Sequence, residues 1–168
     1  MVSPRMDDGA GVLQGWPAIT EAMTRLFALA ASQGVDLVLV DTDFARWPLS
    51  QPAVLGAFQQ WAVSHRGCQA RLLARDWQPA LRHHGGWLRW QAPWAHRVSC
   101  LQMQPEDAPQ WPGTLMVAAG IGALRVVDGA HDTARWVTDP PRSREWLQEI
   151  DVILQRSMNV TPHATLGL

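Results

Sequence analysis

Three aspartates are the sharpest candidates for chemistry in this chain. Asp41 and Asp43, in Asp41-Thr42-Asp43, follow directly on the apolar run Val35 to Val40 (VDLVLV). A carboxylate pair at the carboxyl end of a buried strand can hold a magnesium ion and attack a phosphate. Asp76 stands just past a second such run, Gln69 to Ala74 (QARLLA), and can join them. Together they would make a metal-dependent phosphate hydrolase. The competing role is architectural, with Asp43 holding a turn and Asp76 capping a helix.

Histidine chemistry finds less support. His83 and His84 are adjacent, and neighbours on a helix diverge by about 100° around its axis, so they cannot readily chelate one ion together. One is expected against the core and the other in solvent. His65 and Cys68 lack a third member for a nucleophilic triad. Cys68 and Cys100 sit among apolar neighbours and read as reduced thiols.

Two further groups could bind. Arg125, His131 and Arg135, in a segment that also holds Asp128, Asp132 and Trp136, could hold a small anion; their bland role is solvated loop charge. Trp87, Trp90 and Trp94 recur at helical spacing with Trp77 upstream. They suit either the core or a hydrophobic protein contact such as a symmetric dimer. Arg82, Arg89 and Arg97 lie near enough in sequence to help bases stack on those rings, but a net charge of −1 disfavours nucleic acid.

Composition narrows the choice. The chain of 168 residues has ten Trp, no Tyr and no Lys, so all 14 cations are arginine. A Walker phosphate loop and a Schiff-base enzyme each need a lysine ammonium, and no cofactor is expected. The start lacks the charged-then-apolar layout of a secretory signal, and the run Leu115 to Leu124 is far shorter than the roughly 20 residues of a membrane helix. A cytoplasmic protein with no membrane partner is the expectation. Its length suits one domain, taken as residues 17–157 between a flexible leader (1–16) and a flexible tail (158–168).

These candidates must be positioned by regular elements. Pro17 suits a first helical turn, Ile19, Met23, Leu26 and Ala30 recur at helical spacing, and Gly34 stops the run. After the first strand, Pro52, Val54, Phe58, Trp61 and Ala62 mark a second helix that ends by Gly67. A third begins near Asp76 and should kink or break between Leu81 and Leu88, because Gly85-Gly86 costs about 2 kcal/mol relative to alanines. Arg97 to Met103, Thr114 to Ala119 and Ala123 to Val127 read as strands, the last two joined by a turn at Gly120-Ile121-Gly122, and Trp136 to Thr138 adds an edge. Asp139, Pro140 and Pro141 open a last helix whose Trp146, Leu147, Ile150, Ile153 and Leu154 share one face. The order predicts a single three-layer α/β domain: a mixed, mostly parallel sheet of about five to six strands with helices on both faces.

The path from VDLVLVDTDFARWPLSQPAVLGAFQQW through ARLLARDWQPALRHHGGWLRW to TLMVAAGIGALRVVDG and TDPPRSREWLQEIDVIL resembles one half of the phospholipase D-like fold. More narrowly, it is similar to an uncharacterised bacterial family of that fold, sometimes found behind an acetyltransferase domain. Active members of the fold use an HxKxxxxD signature, in which histidine attacks phosphorus and lysine neutralises phosphate oxygens. The matching stretch, Pro112 to Ala119 (PGTLMVAA), has no histidine, lysine or carboxylate. The resemblance therefore implies a non-catalytic module that binds itself or another protein, with an anionic small ligand as a secondary partner. Asp41-Thr42-Asp43 also resembles the opening of haloacid dehalogenase phosphatases, but Phe44 and Ala45 follow where that family has glycine and threonine.

Overall fold

The computed structural model describes residues 9–162. Three parallel strands form its middle: β2 (Leu37–Asp41), β3 (Ala70–Ala74) and β4 (Val98–Gln102). Helix α1 (Trp16–Gln33) precedes β2, α2 (Pro52–Ser64) joins β2 to β3, and α3 (Gln78–His83) with α4 (Gly85–Gln91) joins β3 to β4. Gly34 ends α1 in the left-handed region (φ 70°), and its N–H bonds the Ala30 carbonyl at 2.9 Å. The expected break in the third helix falls at His84, whose backbone (φ −129°, ψ 37°) is not helical.

An antiparallel half completes the sheet with β5 (Leu115–Ala118), β6 (Gly122–Asp128) and β7 (Thr133–Val137), before α5 (Pro140–Arg156). With β1 (Ala10–Gln14) and β8 (Met158–Val160) the strand order is β1-β7-β6-β5-β2-β3-β4-β8. Strand β2 is the pivot, parallel to β3 and antiparallel to β5.

Successive side chains of a strand point to opposite faces, and the core divides accordingly. Leu37 and Leu39 pack in the cluster that holds Leu26 and Phe27 of α1, Phe58 and Trp61 of α2, and Trp87 of α4. Val38 and Val40 pack in the cluster that holds Ile150, Ile153 and Leu154 of α5. Helices thus cover both faces, as the element order predicts.

The sheet departs from expectation in several ways. It has eight strands rather than five or six, and among the described residues only the β2–β3 and β3–β4 pairings are parallel. The expected leader contributes β1, and the expected tail contributes β8. Gly11 explains why β1 fits. A Cβ there would lie 2.5 Å from Nε1 of Trp136, its cross-strand partner on β7, so only glycine lets the strand pass over the indole. The last expected strand, Trp136 to Thr138, begins earlier, at Thr133.

Candidate functional site

Asp41 ends β2, and the antiparallel register with β5 brings Thr114 beside it. One carboxylate oxygen accepts the Thr114 hydroxyl. The other accepts the N–H groups of Asp43 (3.2 Å) and Phe44 (2.8 Å). Asp43 in turn accepts the N–H of Ala45 at 2.9 Å. This bonding holds Phe44 at φ 59°, a conformation that bulky residues rarely adopt. Its buried ring stacks on Trp77 (centroids 5.3 Å apart) and meets Trp47 edge-on at 5.0 Å.

Across the loop, Nε2 of His84 lies 2.8 Å from the Phe44 carbonyl, and Nδ1 lies 2.6 Å from the Ser50 hydroxyl. His84 is 5% exposed, and this burial pushes its pKa down and favours the neutral ring. A carbonyl partner can only accept, so Nε2 carries the proton and donates to Phe44. Nδ1 then carries no proton, and the single hydrogen of the Ser50 hydroxyl is shared between it and the His83 carbonyl 2.8 Å away. His83 is exposed, so the adjacent histidines divide between core and solvent as expected.

Asp76 accepts the N–H of Gln78 at 2.9 Å, at the start of α3. The three aspartates are therefore each bound to nearby backbone, and among the described residues no three metal-capable side chains converge. The hydrolase alternative built on Asp41, Asp43 and Asp76 is corrected on this geometry. Their common chemistry is that of turn residues, which satisfy backbone donors two or three positions on. In the stretch matched to the phospholipase D signature, Leu115 to Ala118 are all buried.

The arginine group is only partly assembled. Arg125 and Arg135 are cross-strand partners on β6 and β7. Arg125 pairs with Glu149 at 2.7 Å, whereas Arg135 is exposed and has no partner among the described residues. His131 turns to Asp128 at 2.8 Å, and this bond lowers the Asp128 pKa. Arg46, which the sequence did not single out, grips both oxygens of Asp132 at 3.0 and 2.9 Å and lowers that carboxyl's pKa.

The tryptophans split. Trp87 is fully buried, edge-on to Phe58 at 5.5 Å. Trp90 and Trp94 are half-buried; Trp90 donates its indole N–H to Gln59 at 2.8 Å and stacks on Trp94, which stacks on His96, each step 6.3 Å. Beneath this ladder the Arg97 guanidinium lies 5.8 Å from the Trp94 ring and 5.0 Å from that of Trp61. It donates to the carbonyls of Cys68 (3.0 Å), Ala62 (2.7 Å) and His65. Arg97 is thus a buried tie between α2, β3 and β4, and no local pattern in the sequence announces that role. The Ser50–His84–Phe44 network was missed for the same reason, since its members come from separate segments.

A family model described as a domain of unknown function, DUF7931, matches residues 18–165. A sequence comparison with curated proteins finds no match. Among solved structures, the chain is similar to TrmBL2, an archaeal chromatin protein with a novel mode of DNA binding (TM-score 0.66, 11% identity, 92% of this chain and 55% of that one). It therefore spans about half the length of that relative. It is also similar to Nuc from Salmonella typhimurium, a phospholipase D family member (TM-score 0.58, 10% identity, 90% of this chain and 98% of that one). NucT from Helicobacter pylori gives a TM-score of 0.55 at 9% identity, with 90% of this chain and 98% of that one covered. The fold is phospholipase D-like, and these low identities carry nothing beyond the fold.

Proposed function

The chain belongs to the DUF7931 family, a domain of unknown function, and from that premise we propose that it is a non-catalytic interaction module that pairs with a second copy of itself. The observation that carries this reading is the half-buried ladder of Trp90, Trp94 and His96, backed by Arg97. Tryptophan and arginine dominate the binding energy of protein interfaces, because each offers a large apolar body with a hydrogen-bonding edge. A core residue would be covered as Trp87 is. The apolar, buried β5 adds support, since phosphoryl transfer needs polar groups aimed at the phosphate and none stands there.

Light scattering at tens of micromolar tests the pairing. A dimer is expected for the native chain and a monomer for the Trp90→Ala, Trp94→Ala double variant, with the far-ultraviolet circular dichroism retained. Only monomer from the native chain would remove the homodimer reading.

A further inference from the structure

We infer that the open edge at β1 receives an added strand: an extended segment of a partner protein that carries carboxylates at alternate positions. The surface is separate from the Trp90–Trp94 ladder.

The phase of the β1–β7 pairing fixes which backbone groups are open. Gly15 N–H bonds the Asp132 carbonyl and Thr138 N–H bonds the Gly9 carbonyl, both at 2.9 Å, in the register that sets Val12 against Arg135. In an antiparallel ladder, bonded and non-bonded pairs alternate. The odd-numbered residues of β1 therefore face β7, and Ala10, Val12 and Gln14 turn their N–H and C=O groups outward. Because β1 ends the sheet, no described strand receives them.

Proteins blunt such edges with charge, proline, bulges or short strands. The opposite edge follows that rule: β8 spans only Met158–Val160, between Arg156 and Pro162. Strand β1 (AGVLQ) has neither charge nor proline, pairs without a register shift, and leaves Val12 54% exposed.

The groove beside this edge selects the occupant. It measures about 500 Å³ and is bounded by Val12 and Arg135 on the sheet and by Arg142, Glu145 and Trp146 on α5. Arg135 and Arg142 have no ion-pair partner among the described residues, so two guanidinium groups stand against one carboxylate. A strand added to β1 would point alternate side chains toward α5, where guanidinium groups bind carboxylates in bidentate fashion. A second copy of β1 would bring only alanine, glycine, valine, leucine and glutamine, which answer neither charge.

The test uses three blocked peptides that alternate valine with glutamate, glutamine or lysine, titrated into the ¹⁵N-labelled chain. The glutamate peptide is expected to shift the amides of Ala10, Val12 and Gln14 and to bind at least about tenfold more tightly than the lysine peptide. Arg135→Ala with Arg142→Ala should erase that preference. Val12→Pro should abolish binding of every peptide while sparing the fold, because the N–H it removes points away from β7. If that variant does not fold, a glutamate peptide N-methylated at alternate residues supplies the same test from the ligand side. Equal binding of the glutamate and lysine peptides, no binding at millimolar concentration, or binding that survives Val12→Pro would each overturn the inference. So would a dimer that Val12→Pro dissociates and the tryptophan double variant does not, since β1 would then belong to a second copy. Peptide binding by the tryptophan double variant keeps the two surfaces separable.

Discussion

Asp41 holds three pieces of chain with one carboxylate: the turn at Asp43, the strained Phe44 and the start of β5. Asp41→Ala would leave buried donors without a partner, and about 2–4 kcal/mol of stability should be lost. Thr114→Val removes one donor to the same carboxylate and should cost about 1–2 kcal/mol. Urea unfolding midpoints at neutral pH measure both. His84 supplies a pH dependence whose sign follows from burial. An unfolded histidine binds a proton below about pH 6.5, and burial lowers that affinity in the folded chain. The unfolded state then holds more protons in mildly acidic solution, so stability falls as pH drops from about 7.5 to 5.5. His84→Gln should flatten that slope in urea titrations at several pH values. The depressed carboxyl groups of Asp128 and Asp132 do not share this window, because their contributions fade only below ordinary carboxylate values. The turn role of Asp43 was legible because a local backbone donor defines it, whereas Asp76 makes the same kind of turn to Gln78 and the expected helix cap falls instead on Trp77. Which of His83 and His84 faces inward was not legible, since the helix breaks at His84 itself.

At the scale of elements, glycines mark where the chain has little freedom and where it has some. Gly34→Ala places a Cβ at φ 70° and 2.2 Å from Nδ1 of His65, and should destabilise by at least about 1 kcal/mol. Gly67→Ala meets nothing within 4 Å and should be neutral or stabilising by up to about 1 kcal/mol. Thermal melts of the two variants give the comparison. The long amphipathic helices were legible by their 3.6-residue period and β2 by its short continuous apolar run, the mark of a strand buried on both faces. Strands β1 and β8 were not: five residues with a glycine second and three residues with an asparagine carry no alternation that a loop would lack. The expected parallel majority failed because helix-joined strands fix only their own pairings. The reversal at β2, where β5 enters antiparallel, depends on packing between distant segments.

For the whole molecule, the division of the sheet at β2 places the two proposed surfaces in different halves. The tryptophan ladder sits on the connection between the parallel strands β3 and β4, and the open edge closes the antiparallel half. A stable dimer through the ladder would bury about 800 Å² on each partner, more than the exposed parts of two indoles supply. Neighbouring side chains of α2 and α4 must take part, so single alanine variants should weaken the dimer less than the double one.

The strand order has one more consequence. Strand β1 lies at one margin of the sheet and β8 at the other, with six strands between them. At about 4.8 Å per step, seven steps set the margins roughly 34 Å apart. The chain therefore enters β1 and leaves β8 at opposite margins of one continuous hydrogen-bonded sheet.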